Sequence, residues 1–222
     1  MTDTRTRLNA MRLSLVVAAL LAWPLSGCGS KPVQPAWKTN ASSALAAYSD
    51  AYLKGDSRIA DTEFARARGE MTSTGRADLV AHAELYRCAT RVAALDLDDC
   101  PGFAPLAQDA TPAERAYSAY LDGKWQGLDA ALLPEQHRAV IGNAPALAAI
   151  KDPLARLVAA GALMKAQRIT SADIALAAQT ASDQGWRRPL LVWLGVAQER
   201  ARALGDMAEV ARLQRRIELT GP

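Results

Sequence analysis

The groups in this sequence that could do chemistry are few: three cysteines, Cys28, Cys88 and Cys100, and two histidines, His82 and His137. Eleven residues separate Cys88 from Cys100, which does not fit a C-x-x-C redox motif, and no histidine lies close by in sequence to complete a metal site. His82 sits beside Glu84 and Tyr86, and His137 follows Pro134-Glu135-Gln136. Neither belongs to an H-E-x-x-H arrangement, so both read as structural histidines, at the surface or partly buried. A G-x-S-x-G nucleophile elbow is lacking. The glycines are single punctuation marks, so no phosphate-cradling loop is expected.

The carboxylates are equally plain. Asp96, Asp98 and Asp99 form an acidic cluster, but no glycine permits the sharp turn of a calcium loop and no glutamate follows at the required distance. Helix termination and solvation account for them, and helix surfaces or caps account for Glu84, Glu114 and Glu135. No catalytic residue, no metal ligand and no enzyme activity is expected. The stretch GWRRPLLVWLG, residues 185–195, is the most unusual. Two arginines beside a helix N-terminus oppose its macrodipole. Either Arg187 and Arg188 satisfy the carbonyls of the preceding helix while Trp186 and Trp193 fill the core, or Trp186, Arg187 and Arg188 form an interaction anchor, since Trp and Arg dominate interface hot spots. Arg212, Arg215 and Arg216 share a helix face and read as a solvated surface.

The elements that must position these groups are helices. The body of the chain is rich in Ala and Leu and poor in β-branched residues and has no sustained period-2 alternation. Capping signals divide it. Gly55-Asp56 ends one helix and opens the next, Thr111-Pro112-Ala113-Glu114 is a capping box, and Asp152-Pro153 repeats that kind of start. Gly185 closes a helix begun near Ser171, and Gly205-Asp206 joins the last two. Apolar residues recur at helical spacing between these marks, as in Leu154, Leu157, Val158 and Gly161, or Leu190, Trp193, Leu194, Ala197, Ala201 and Leu204. Eight to ten short helices are expected.

AYLKGD at 51–56 matches AYLDGK at 119–124. YLKGDSRIADTEFARAR and LGDMAEVARLQRRIEL resemble the turn and second helix of a tetratricopeptide repeat. The resemblance implies an irregular stack of helical hairpins, each pair burying a face on its neighbour.

The N-terminus has a different character. Arg5, Arg7 and Arg12 precede the apolar run Leu13 to Leu21, which at about 10 residues is half what a membrane span needs. Residues 1–27 therefore read as a signal peptide, with Met11 a second in-frame start. Leu25-Ser26-Gly27-Cys28 resembles the lipobox of bacterial lipoprotein precursors. That resemblance implies cleavage before Cys28, a diacylglyceryl thioether on its sulfur and an acyl chain (palmitate-like) on its new amino group, with no other cofactor. Gly29, in place of an aspartate, points to the outer membrane, on its periplasmic face. In that oxidising space Cys88 and Cys100 are expected to pair, closing a loop of about 13 residues worth about 3 kcal/mol.

Residues 28–41 contain Pro32, Pro35 and small polar residues, and read as a flexible tether reaching about 40 Å at most. Residues 42–222 are then the α-helical domain. Loss of the signal leaves 23 basic and 22 acidic side chains, so no basic field suggests nucleic acid. The expected role is non-enzymatic: a lipid-anchored protein-interaction or assembly accessory of the cell envelope, with an envelope protein as partner. The alternative is a glycan or small-molecule binder, or a hydrolase, with a groove lined by Trp125, His137 and Trp186.

Overall fold

Helix-forming sequence broken by caps produces nine α-helices among the described residues: α1 Ala36–Lys54, α2 Ser57–Thr72, α3 Ala77–Ala93, α4 Pro112–Leu121, α5 Glu135–Gly142, α6 Pro153–Lys165, α7 Ser171–Asp183, α8 Arg187–Ala203 and α9 Met207–Thr220. The structure, a computed structural model, describes residues 35–142 and 146–221. Short 3-10 turns at Ala104–Leu106, Ala130–Leu132 and Ala146–Ala149 fill the longer connections. No strand occurs among the described residues, so the fold is all-α, a stack of helical hairpins. No described helix is long and apolar enough to cross a membrane.

The sequence punctuation acts as the capping rules require. Thr111 and Glu114 form a reciprocal capping box at α4, and the Asp152 side chain accepts from the Ala155 backbone N–H to start α6. Gly55 ends α1 in the left-handed region, at φ 105°. Gly123 ends α4 in the same way, at φ 71°, and a Cβ there would press on the backbone of Lys165 and Ala166. The two matching hexapeptides thus do one job, closing a helix at a glycine.

The signal peptide, Cys28 and residues 28–34 of the expected tether lie outside the described residues. The boundary at residue 41 needs correction: α1 begins at Ala36, and Ala41 is already buried. Pro35 stands just before the helix, where a proline removes no needed N–H, and Ala41, Ala44, Leu45, Tyr48 and Tyr52 form its buried stripe.

Helices α1 and α2 pack as a hairpin, as do α7 with α8 and α8 with α9. At the centre α3 lies against α6, whose residues 157–160 and 162–163 are all buried. Helix α8 also returns to α1. Donors from side chains add to the closure of the helix C-termini, where carbonyls run out of intrahelical partners. Arg188 Nε donates to the Tyr52 carbonyl of α1 at 2.7 Å, and Trp193 Nε1 to the Ala93 carbonyl of α3 at 3.1 Å. Trp125 Nε1 donates to the Tyr120 carbonyl of α4 at 2.9 Å, and Arg168 to the Ile141 and Gly142 carbonyls of α5.

The Cys88–Cys100 bond fastens the loop after α3 back onto that helix, with the two Cα atoms 5.5 Å apart, inside the range a disulfide spans. Leu204, expected on the inner face of α8, is instead 77% exposed, because α8 ends at Ala203 and Leu204 falls in the turn.

Candidate functional site

Four helices meet around a cleft of about 590 Å³, within the range of small-molecule sites. Helix α3 contributes His82, Leu85, Tyr86, Ala89 and Thr90, and α4 contributes Glu114 and Tyr117. The turn after Ala130 adds Leu132, Leu133 and Pro134, α5 adds His137 and Arg138, and the start of α6 adds Leu154, Ala155 and Val158, with Asp152 at its cap. Pro134 starts the short α5 and so carries His137 inward.

His137 is buried, with 2% of its surface exposed, which corrects the expectation of a surface or half-buried side chain. It stands against an aromatic column: Trp125 stacks on Tyr120 at 5.5 Å, Tyr120 on Tyr117 at 6.0 Å, and the His137 ring lies 5.0 Å from Tyr120. Arg168 covers the outer face of Trp125. The Tyr120 hydroxyl is 3.2 Å from His137 Nδ1. Burial pushes the His137 imidazolium down to about 4, with Asp152 opposing it weakly, so the ring is neutral at pH 7. Burial and the neighbouring Tyr117 push the Tyr120 phenol up.

The depressed histidine has a consequence for stability. In the unfolded chain His137 takes its proton near pH 6.5, and in the folded protein only near 4. Its contribution is complete above pH 6.5 and is lost as the pH drops from 6.5 to 4, the loss reaching about 3 kcal/mol. Denaturation measured at pH 7 and pH 4, for the wild type and for His137→Phe, should show a loss larger by about that amount in the wild type. Equal losses would refute the assignment.

The other residues singled out in the sequence serve the fold. Arg188 lies over the Tyr52 ring at 4.2 Å and donates to Ser57 Oγ at 2.7 Å. It does satisfy a helix C-terminus, but that of α1 and not of the preceding α7. Trp186 is half-buried against the core and Arg187 is exposed. Of the groove residues Trp125, His137 and Trp186, only His137 lines the cleft. Trp125 is two rings behind it.

Asp96 and Asp98 both pair with Arg91, at 2.9 and 3.0 Å, and Asp96 also accepts from the Tyr52 hydroxyl. Cys88, Asp98 and Cys100 bring donor atoms within 4.8 Å of one another, but the two sulfurs are bonded together and Asp98 faces Arg91, which gives a structural junction. Glu84 is buried on Arg68 at 2.7 Å. Arg212 pairs with Glu209, while Arg215 is exposed and Arg216 half-buried. His82 is exposed at the cleft edge.

Sequence reasoning missed Tyr117, Tyr120 and the Leu132–Pro134 wall. The spacing of Tyr117 and Tyr120 three apart, with Pro134 three residues before His137, is the signal that could have joined them. No protein-family model, curated protein or solved structure matches the chain.

Proposed function

We propose that the chain is a lipid-anchored lipoprotein of the bacterial outer membrane, facing the periplasm, whose helical domain serves an envelope assembly by binding and not by catalysis. The Leu25–Cys28 pattern after a basic and apolar leader supports the anchor. The observation that carries the binding role is the cleft between α3, α4, α5 and α6, apolar on most of its walls, with one neutral buried imidazole. A general acid or base works best with a pKa near the working pH, and His137 lies well below it. Trp125, Arg168, Trp193 and Arg188 are taken up by carbonyls of the fold, which leaves the cleft as the most built surface for a partner.

A second reading, a small-molecule binder, is favoured by the cleft's volume. A photoreactive residue in place of Leu132, which stands at the cleft with 39% of its surface exposed, separates the two in whole envelopes. One protein crosslinked in stoichiometric yield is the result expected of the accessory role. Crosslinks to muropeptide alone, or to nothing, would contradict it.

A further inference from the structure

The polar atoms of the cleft define what it can hold, and we infer that it binds an uncharged molecule with an apolar body and one oxygen acceptor, of the acyl ester or amide class, held by His137 Nε2–H and the Tyr117 hydroxyl. The inference deepens the small-molecule reading and rests on the cleft being a binding site.

The proton on Nε2 follows from Tyr120. That residue is fully buried, its phenol stays protonated, and its hydroxyl has one partner among the described residues, His137 Nδ1. A buried O–H left without an acceptor is costly, so Tyr120 donates and Nδ1 accepts. The neutral ring then carries its hydrogen on Nε2. No described residue accepts it. Nε2 is nevertheless not sealed in, because the only buried side-chain polar atom without a partner among the described residues is Arg91 Nε. His137 is 2% exposed and lines the cleft, so that remaining access is to the cleft. Tyr117 also lines the cleft, and its hydroxyl has no hydrogen-bond partner among the described residues and is not sealed. Its ring centre is 5.8 Å from that of His137.

Charge decides the rest. Glu114 and Asp152 line the cleft, and Arg138 is the one lining side chain with a permanent positive charge, its Nε donating to the Leu133 carbonyl at 2.9 Å. An anionic ligand would meet two carboxylates. A cationic one would bring its own donors against the imidazole N–H. A pure hydrocarbon would bury both donors unpaired. An ester or amide carbonyl satisfies them while its chain lies on Leu85, Ala89, Leu154 and Val158.

The test uses the full chain in amphipol and follows the methyl signals of Leu85, Leu154 and Val158 by NMR. The probes are methyl hexanoate, hexanoate and hexylammonium. Methyl hexanoate is expected to bind at least about tenfold more tightly than either ion. Tyr117→Phe, which removes a hydroxyl with no partner among the described residues, is expected to weaken the ester about three- to tenfold. Leu154→Trp, checked for native helicity by circular dichroism, is expected to abolish binding by filling the cleft. An ion that binds as tightly as the ester, ester binding untouched by either variant, or no shift with any probe would overturn the inference. The Leu132 crosslink is read independently, so a cleft that takes a different ligand is distinguishable from one that takes none.

Discussion

Replacing Trp193 by alanine should lower the stability of the domain by about 4 kcal/mol, the range for deleting a buried tryptophan. Trp193 is entirely buried, and it reaches from α8 to the C-terminal end of α3. Two losses combine. The ring leaves a cavity among apolar neighbours, and the Ala93 carbonyl at the end of α3, which accepts from Nε1 at 3.1 Å, loses its donor. Trp193→Phe separates them in part, since it keeps a six-membered ring in the site and removes the N–H together with the rest of the indole. It should cost about 1–3 kcal/mol, the penalty of an unsatisfied buried group. Guanidinium unfolding followed by far-UV circular dichroism measures both. A cost below about 1 kcal/mol for the alanine variant would contradict the burial of Trp193 and its bond to the end of α3.

Gly161→Ala should be destabilising by about 2 kcal/mol, although alanine is the better helix former by about 1 kcal/mol. A Cβ at Gly161 would lie 2.7 Å from Val92 Cγ1, 2.9 Å from the Val92 carbonyl carbon and closer still to its oxygen. Two of those three atoms belong to the backbone of α3 and cannot turn aside. The helices must separate, and overpacking of this kind costs about 1–3 kcal/mol or more. Gly195 on α8 is the control. A Cβ there meets nothing within 4 Å, so Gly195→Ala should stabilise by up to about 1 kcal/mol. Opposite signs for one chemical change would show that the α3–α6 approach sets the outcome. Stabilisation at both positions would contradict the packing described here.

What the sequence made legible is what is local. The helices are marked by Thr111 with Glu114, by Asp152 before Pro153 and by Gly55, Gly185 and Gly205, because caps act within a few residues of their own chain. The pairing of Cys88 with Cys100 followed from compartment and an even count. The start of α1 was obscured by Pro35 and the exposed polar residues after it, of which Asn40 finds its partner, Glu70 of α2, thirty residues along the chain. Arg188 was assigned to the wrong helix for a related reason: its carbonyl is Tyr52, 136 residues back. The cleft was hidden because its walls come from four helices and a turn, and of its polar centre only His137 was distinctive in the sequence. Trp125 and Trp186 attracted attention as rare residues, and one supports the aromatic column while the other packs on the core.

The attachment at Cys28 is the claim on which compartment, disulfide and mode of action all depend. Cells grown with an alkyne-bearing palmitate, then fractionated and probed for the full-length chain and for Cys28→Ala, test it directly. The account predicts that the wild type carries the label, runs at the size of a chain cleaved before Cys28 and sediments with the outer membrane. It predicts that Cys28→Ala loses label, processing and sedimentation together. A Cys28→Ala chain still labelled, or still membrane-bound at unchanged size, would contradict it.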